Sequence, residues 1–277
     1  MDGSPARPVT IRILNSNVKY AMTESNQNTS KPGTMYSDGS YQARHPTWHE
    51  EDSCWKADQI CRIIESNSIR FNSYVDIGCG AGRVLHELSL RYPSARFHGY
   101  DISPHAIAMA KKYETERVSF HHLQVFPPSG IKCDVAAVID LVEHIEDYLG
   151  FLRKLRELAN YFIFHIPLEI SVEGALRDRQ ILARRTSGHL HYFTKATALA
   201  ALDETGYEVI DSQYTPAFID LARTPKQRLA RVVTKLFFRL KPDLCVRLLG
   251  GASLMVLARP KEVSFEEYAL PTQESAI

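Results

Sequence analysis

The sequence predicts an α/β protein built on a doubly wound, open sheet, and three observations carry that expectation. Tyr74 to Tyr92 reads as a short apolar run, a turn holding Gly78, Gly80 and Gly82, and then apolar residues at helical spacing, Val84, Leu85 and Leu88. That order is strand, tight turn, helix. Further along, strand-like apolar runs alternate with amphipathic stretches, the pattern of strands wound with crossover helices. Cys133 to Ile139 is almost continuously apolar, as a central parallel strand covered on both faces must be.

Composition narrows the class. At 277 residues the chain is long for one domain and short for two, so one core with additions is expected. A formal net charge of +1 excludes a global field that would draw nucleic acid, and no nucleic-acid partner is expected. Five cysteines without a C-x-x-C pair read as thiols of a reducing, cytoplasmic compartment. No apolar run is long enough to span a bilayer, and no signal peptide is recognisable.

Taken in order, residues 1–33 are rich in Ser, Asn, Thr and Pro and are expected to be largely disordered, with Met22 an alternative start. Residues 34–72 are expected to form an N-terminal segment, either a lid or an ordinary arm packed on the domain surface, and a helix. Tyr36, Tyr41, His45, Trp48, His49 and Trp55 cluster there, then Asp52 or Ser53 caps a helix with Ile60, Ile63 and Ile64 on its apolar face. The main domain is expected over 73–260. After the glycine turn, a second strand runs from Arg96 to Tyr100 and ends at Asp101. Ser103 and Pro104 then start a helix. Val118 to His122 is a third strand and Cys133 to Ile139 a fourth, ending in the polar cluster Asp140, Glu143, His144, Glu146 and Asp147. In an open parallel sheet ligands bind beyond the carboxyl ends of the strands, so this cluster faces the ligand.

A helix with Leu149, Leu152, Leu155 and Leu158 leads to a fifth strand, Tyr161 to Ile166. A charged insertion follows at 168–188, whose Arg177, Arg179, Arg184 and Arg185 either meet an anionic acceptor or form a solvated helix face. In Gly188 to Thr194, alternation puts His189 and His191 on one side and Leu190 on the other, and Thr194 caps the helix Lys195 to Glu204. Tyr207 to Gln213 and Ser253 to Ala258 are the last two strands. Between them, 223–247 holds eight Lys or Arg residues and one acid, with apolar residues at helical spacing and a break at Pro242. Such a basic amphipathic region suits either an anionic membrane surface, as a peripheral contact at the inner face, or docking on its own domain. Residues 261–277 read as a polar tail.

The ligand follows from spacing. A dinucleotide fingerprint requires its third glycine where Arg83 stands. Here an acid, Asp76, precedes G-x-G-x-G, and Asp101 lies about twenty residues on, where a carboxylate accepts from both ribose hydroxyls. In these residues the chain resembles the class I S-adenosylmethionine-dependent methyltransferases, loosely over residues 48–260. The resemblance implies a seven-stranded, mostly parallel Rossmann-like sheet with an antiparallel last strand and S-adenosyl-L-methionine as cofactor. It implies cofactor contacts at Asp76, Gly78, Cys79, Gly80, Gly82, Asp101, Ile102, Asp140 and Leu141, and aromatic cover from Tyr36, Tyr41 and Trp48. The acid that many relatives use to read adenine is missing, and Gln124 or nearby backbone replaces it.

Glu143-His144-Ile145-Glu146-Asp147 and Gly188-His189 to Phe193-Thr194 resemble segments of small-molecule methyltransferases, and Pro46 to Ser53 with Trp55-Lys56-Ala57, together with the basic carboxyl-terminal region, is similar to bacterial methyltransferases of surface-glycan or related secondary metabolism. The implied reaction is O-methylation of a small-molecule or glycan hydroxyl, with His189 or His191 as base and His144 or His49 in reserve. A buried histidine bonded to backbone is the alternative at each position. Asp140-x-x-Glu143-His144 also resembles the metal-assisted quinone or phenol O-methyltransferases, although no metal ligand is assigned. A cofactor-binding regulatory or scaffold protein that transfers no methyl group is the reading outside enzymology.

Overall fold

The computed structural model describes residues 36, 40–48, 50–125, 130–221 and 225–262. The expected extension over 1–33, the candidate His49 and the tail from 263 onward lie outside these residues.

A sheet of seven strands forms the centre. They are β1 Ser73–Ile77, β2 Arg96–Asp101, β3 Val118–His122, β4 Cys133–Ile139, β5 Ala159–Pro167, β6 Tyr207–Thr215 and β7 Ser253–Pro260. Their spatial order is β3-β2-β1-β4-β5-β7-β6. The pairs among β1 to β5 are parallel, and β7 inserts antiparallel between β5 and β6. The last strand is therefore the reversed one, and the sheet changes winding direction between β1 and β4, the place where an open α/β sheet opens a crevice.

Helices cover both faces. Pleating explains why β4 is apolar throughout: Val135 and Ala137 enter one core cluster while Ala136 and Val138 enter the other. On one face lie α1 Ser53–Ser66, α2 Arg83–Arg91 and α3 Pro104–Ala110, contributing Ile60, Ile63, Leu85, Leu88 and Ile107. Facing the other are α4 Tyr148–Leu155 and, downstream, the helix Lys195–Glu204, contributing Phe151, Leu152, Leu155, Ala198 and Leu202. Fully burying each Leu, Ile or Phe among them contributes about 2 kcal/mol before chain entropy is counted. In α4 the buried partner of Leu152 and Leu155 is Phe151; Leu149 stays half exposed, because the helix begins at Tyr148 and turns Leu149 off the sheet.

Local signals set the helix ends. Ser103 Oγ accepts from Ala106 N with Pro104 at the first turn, and Thr194 forms a reciprocal capping box with Thr197. Asp52 stands at the N-cap of α1, yet its side chain makes no capping bond there. The insertion folds as α5 Val172–Leu176 and α6 Arg179–Thr186. After α7, the helix Lys195–Glu204, come α8 Pro225–Leu240 and α9 Pro242–Leu249. Pro242 separates α8 from α9 because its nitrogen has no hydrogen to continue the first helix.

Candidate functional site

The crevice at the carboxyl ends of β1, β2 and β4 opens into a cleft of about 810 Å³. That volume suits a ligand of nucleoside size and an acceptor beside it. Its floor is the glycine turn. Gly78, Gly80 and Gly82 all hold positive φ, which side chains rarely adopt. The turn is tied down by Gly78 N and Cys79 N, both donating to Tyr100 O, and by Gly80 N donating to Asp101 Oδ2 at 2.9 Å. Asp101 Oδ1 accepts from Ser103 N, so this buried carboxylate braces two loops at once.

Asp76 lies under the turn, 3% exposed, and its Oδ1 has no hydrogen-bond partner among the described residues. Burial, with Asp101 close by, pushes its carboxyl up to about 7. An acid in that state is arranged for a cation that the cleft receives, such as the ammonium of an amino-acid ligand. Ile102, Asp140 and Leu141 complete this wall, and Leu141 packs against Gly78.

The N-terminal segment covers the cleft. Tyr36, Tyr41 and Trp48 all line it, with ring centroids 4.8 Å apart for both Tyr36–Tyr41 and Tyr41–Trp48. Trp48 approaches so closely that a Cβ on Gly80 would sit 3.7 Å from its ring. Aromatic faces over such a cleft attract cationic ligands. Gln124 is exposed and does not join the lining.

At the end of β4, Asp140 takes a positive φ of 50° and is gripped from two sides. Lys56 Nζ lies 2.6 Å from Oδ2, and His165 Nδ1 lies 2.6 Å from Oδ1. His165 passes the contact on through Nε2 to Thr215 Oγ1. Lys56 and His165 hold the Asp140 carboxyl well below the usual carboxylate range against its burial. Sequence reasoning missed Lys56, His165 and Thr215. A histidine inside the otherwise apolar strand Ala159–Pro167 was the available signal.

The histidines separate. His191 lines the cleft beside Leu190, and its Nε2 donates to Glu146 O at 3.1 Å, leaving Nδ1 with its lone pair. His189 does not line the cleft. It bonds Glu169 Oε2 through Nδ1 at 2.9 Å and packs edge-on to His144. Alternation fails here because 188–194 is not a strand; Leu190 N and His191 N both donate to Glu143 O, which twists the segment. His144 lines the cleft with its Nδ1 near Tyr36 Oη and Gly188 O, and burial, with His189 beside it, lowers its pKa to about 4.

Asp140 does not join Glu143 and His144 in a cluster. Among the described residues, the groups whose ligand atoms approach one another within 4.8 Å are Glu143, His144 and His189. In the insertion, Arg177 and Arg179 pair with Glu173, whereas Arg184 reaches the cleft lining.

Known proteins share this architecture. A family model described as a methyltransferase domain matches residues 44–212. No curated protein matches the chain in sequence. Among solved structures, the plantazolicin methyltransferase BpumL, in complex with a monoazolic desmethylPZN analog and SAH, is 17% identical over 83% of this chain and 94% of that one, with a TM-score of 0.51. A structure of the complex between the Haloferax volcanii Trm112 methyltransferase activator and a methyltransferase aligns at 16% identity over 85% and 99%, with a TM-score of 0.58. YjhP from E. coli aligns at 15% over 82% and 100%, with a TM-score of 0.54. At these identities the structural likeness is one of fold.

Proposed function

The chain belongs to the methyltransferase domain family and is an S-adenosylmethionine-dependent methyltransferase; on that premise we propose that it methylates a hydroxyl of a small molecule or glycan. The observation that carries this reading is the cleft itself, in which the glycine turn, Asp76 with its unpartnered Oδ1 and His191 share one cavity.

In this reading Gly78, Cys79, Gly80 and Gly82 admit the methionine part of the cofactor and Asp76 receives its ammonium. Asp101, with Ile102 beside it, accepts from the ribose hydroxyls. Asp140 and Leu141 border the methyl donor. The sulfonium already activates the methyl group, so the protein has to align the acceptor, exclude water and take one proton. Bound there, S-adenosylmethionine would supply the methyl group and keep the C–S electron pair on sulfur, and Nδ1 of His191 would take the hydroxyl proton as the acceptor oxygen bonds the methyl. Tyr36, Tyr41 and Trp48 close the cleft over the cation. The direct test is calorimetric titration with S-adenosylmethionine, then a product assay across sugars and phenols. Binding without turnover on any acceptor returns the chain to a regulatory role.

The acceptor side extends to the surface. Arg184 joins the cleft to the insertion, where Leu176, Ile181 and Leu182 are exposed, and α5 packs on α9. Val232, Val233, Leu236 and Leu240 of α8 and Leu244, Leu248 and Leu249 of α9 are exposed as well, flanked by Arg231, Lys235, Arg239 and Arg247. We place this basic, apolar face against an anionic membrane surface. No helix among the described residues is long and apolar enough to cross a membrane, so the contact is peripheral. Co-flotation with phosphatidylglycerol vesicles at low salt, lost on Leu236→Asp with Leu240→Asp, is the expected outcome; flotation unchanged by that pair overturns it.

A further inference from the structure

Glu143 is fully buried in the turn after β4, and neither carboxylate oxygen has a hydrogen-bond partner among the described residues. An acid left ionised there costs several kcal/mol unless something positive meets it. Lys56 does not, because its ammonium pairs with Asp140. What faces Glu143 is a pair of imidazoles whose tautomers can be deduced.

His144 Nδ1 lies 3.3 Å from Gly188 O and 2.8 Å from Tyr36 Oη. A carbonyl only accepts, and the tyrosine proton is directed to Ser187 O, so Nδ1 of His144 carries the hydrogen and Nε2 carries a lone pair. That Nε2 stands 3.8 Å from Glu143 Oε1. His189 donates its Nδ1 hydrogen to the carboxylate of Glu169, which likewise leaves Nε2 as the lone-pair nitrogen. The two rings meet edge to face, 4.7 Å between centroids, and one ligand atom from each of the three residues lies within 4.8 Å of the others.

Among the described residues, three acceptors thus converge with no donor between them. A single proton on Glu143 does not resolve this, since 3.8 Å is too long for a hydrogen bond to His144. A histidine whose far nitrogen is fixed by a carboxylate or a carbonyl is also the arrangement that orients imidazole toward a metal.

We propose that Glu143, His144 and His189 bind one divalent transition-metal cation of the zinc or manganese class, with Glu169 and Gly188 O orienting the two histidines. One carboxylate and two imidazoles suit such an ion and leave coordination positions open. Of the three, His144 lines the cleft, so an open position on its side would let the ion polarise the acceptor oxygen there. That last role rests on the hydroxyl-methylation reading; binding of the ion does not.

The experiment takes the full chain, stripped with chelator, and titrates it with Zn²⁺, Mn²⁺ and Co²⁺ by calorimetry, alongside metal analysis and the visible absorption of the Co²⁺ form. One equivalent per chain and a rise in melting temperature are expected. Glu143→Gln and His189→Ala should each weaken binding by more than about 100-fold, and Glu169→Gln by about 10-fold with stoichiometry kept. S-adenosylmethionine affinity measured on the same proteins reports folding and separates this site from the cofactor site. If none of the three ions binds saturably, or if Glu143→Gln and His189→Ala, with cofactor affinity intact, bind metal as the parent does, the proposal fails.

Discussion

Lys56 Nζ sits 2.6 Å from Asp140 Oδ2, joining the first helix of the domain to the end of its central strand at the cleft wall. The pair lets a carboxylate with a positive φ stay ionised beside buried Glu143, and it turns Asp140 away from the histidine cluster. Helix α1 is thereby locked to the site that its preceding aromatics cover.

Breaking that pair should be costly. With side chains 19% and 27% exposed, Lys56→Met is expected to destabilise by about 2 kcal/mol, less than a fully enclosed pair. The pH dependence has a definite sign. The folded Asp140 carboxyl lies below its unfolded value of about 3.9, so its contribution is whole above about pH 5 and is lost as pH falls. Urea unfolding from about pH 3 to pH 7 should show a shallower acid loss in Lys56→Met than in the parent.

Asp76 predicts proton release on cofactor binding. Burial holds the carboxyl at about 7, so near pH 6 most molecules carry the proton there. A cofactor ammonium favours the ionised form, and binding at about pH 6 should release close to one proton. Calorimetry in buffers of different ionisation enthalpy measures this. Affinity should weaken as pH falls below about 7, by up to tenfold per unit, and Asp76→Asn should remove that dependence.

Two glycines of one turn should behave differently. A Cβ on Gly82 would come within 2.6 Å of the Phe120 ring and 2.8 Å of Ala110, so Gly82→Ala should lose about 3 kcal/mol of stability. On Gly80 it would meet, among the described residues, only Trp48, at 3.7 Å. Gly80→Ala should lose about 1 kcal/mol from its positive φ, and at least about tenfold in cofactor affinity because the methyl stands between the turn and Trp48. Thermal melts and cofactor titration on both variants separate the two effects.

His191→Ala should lower turnover by about 10²- to 10⁴-fold while cofactor affinity stays within about twofold. Full turnover in this variant would remove His191 from the reaction.

Much of the fold was legible along the chain because its signals are local. Asp76, the three glycines and Asp101 stand in one strand–turn–helix–strand unit, so their meeting in the cleft follows from short-range geometry. The apolar run of β4 announced burial on both faces for the same reason. Partner choice among polar groups was not legible in this way. Asp140 and Glu143 look equivalent at the end of one strand, yet Lys56 and His165 reach the first while His144 and His189 surround the second. Glu169 holds His189 from the start of the insertion, a contact no periodicity encodes.

The sequence by itself determined the doubly wound sheet, its glycine turn and the placing of Asp76 and Asp101 beside that turn, because hydrophobic periodicity and positive-φ turns act over a few neighbouring residues. Only the tertiary structure decided that His144 and His191 line the cleft while His189 does not, and which acid is paired and which, among the described residues, is not. Those outcomes depend on contacts between segments tens of residues apart, whose energies exist only once the chain has closed around them.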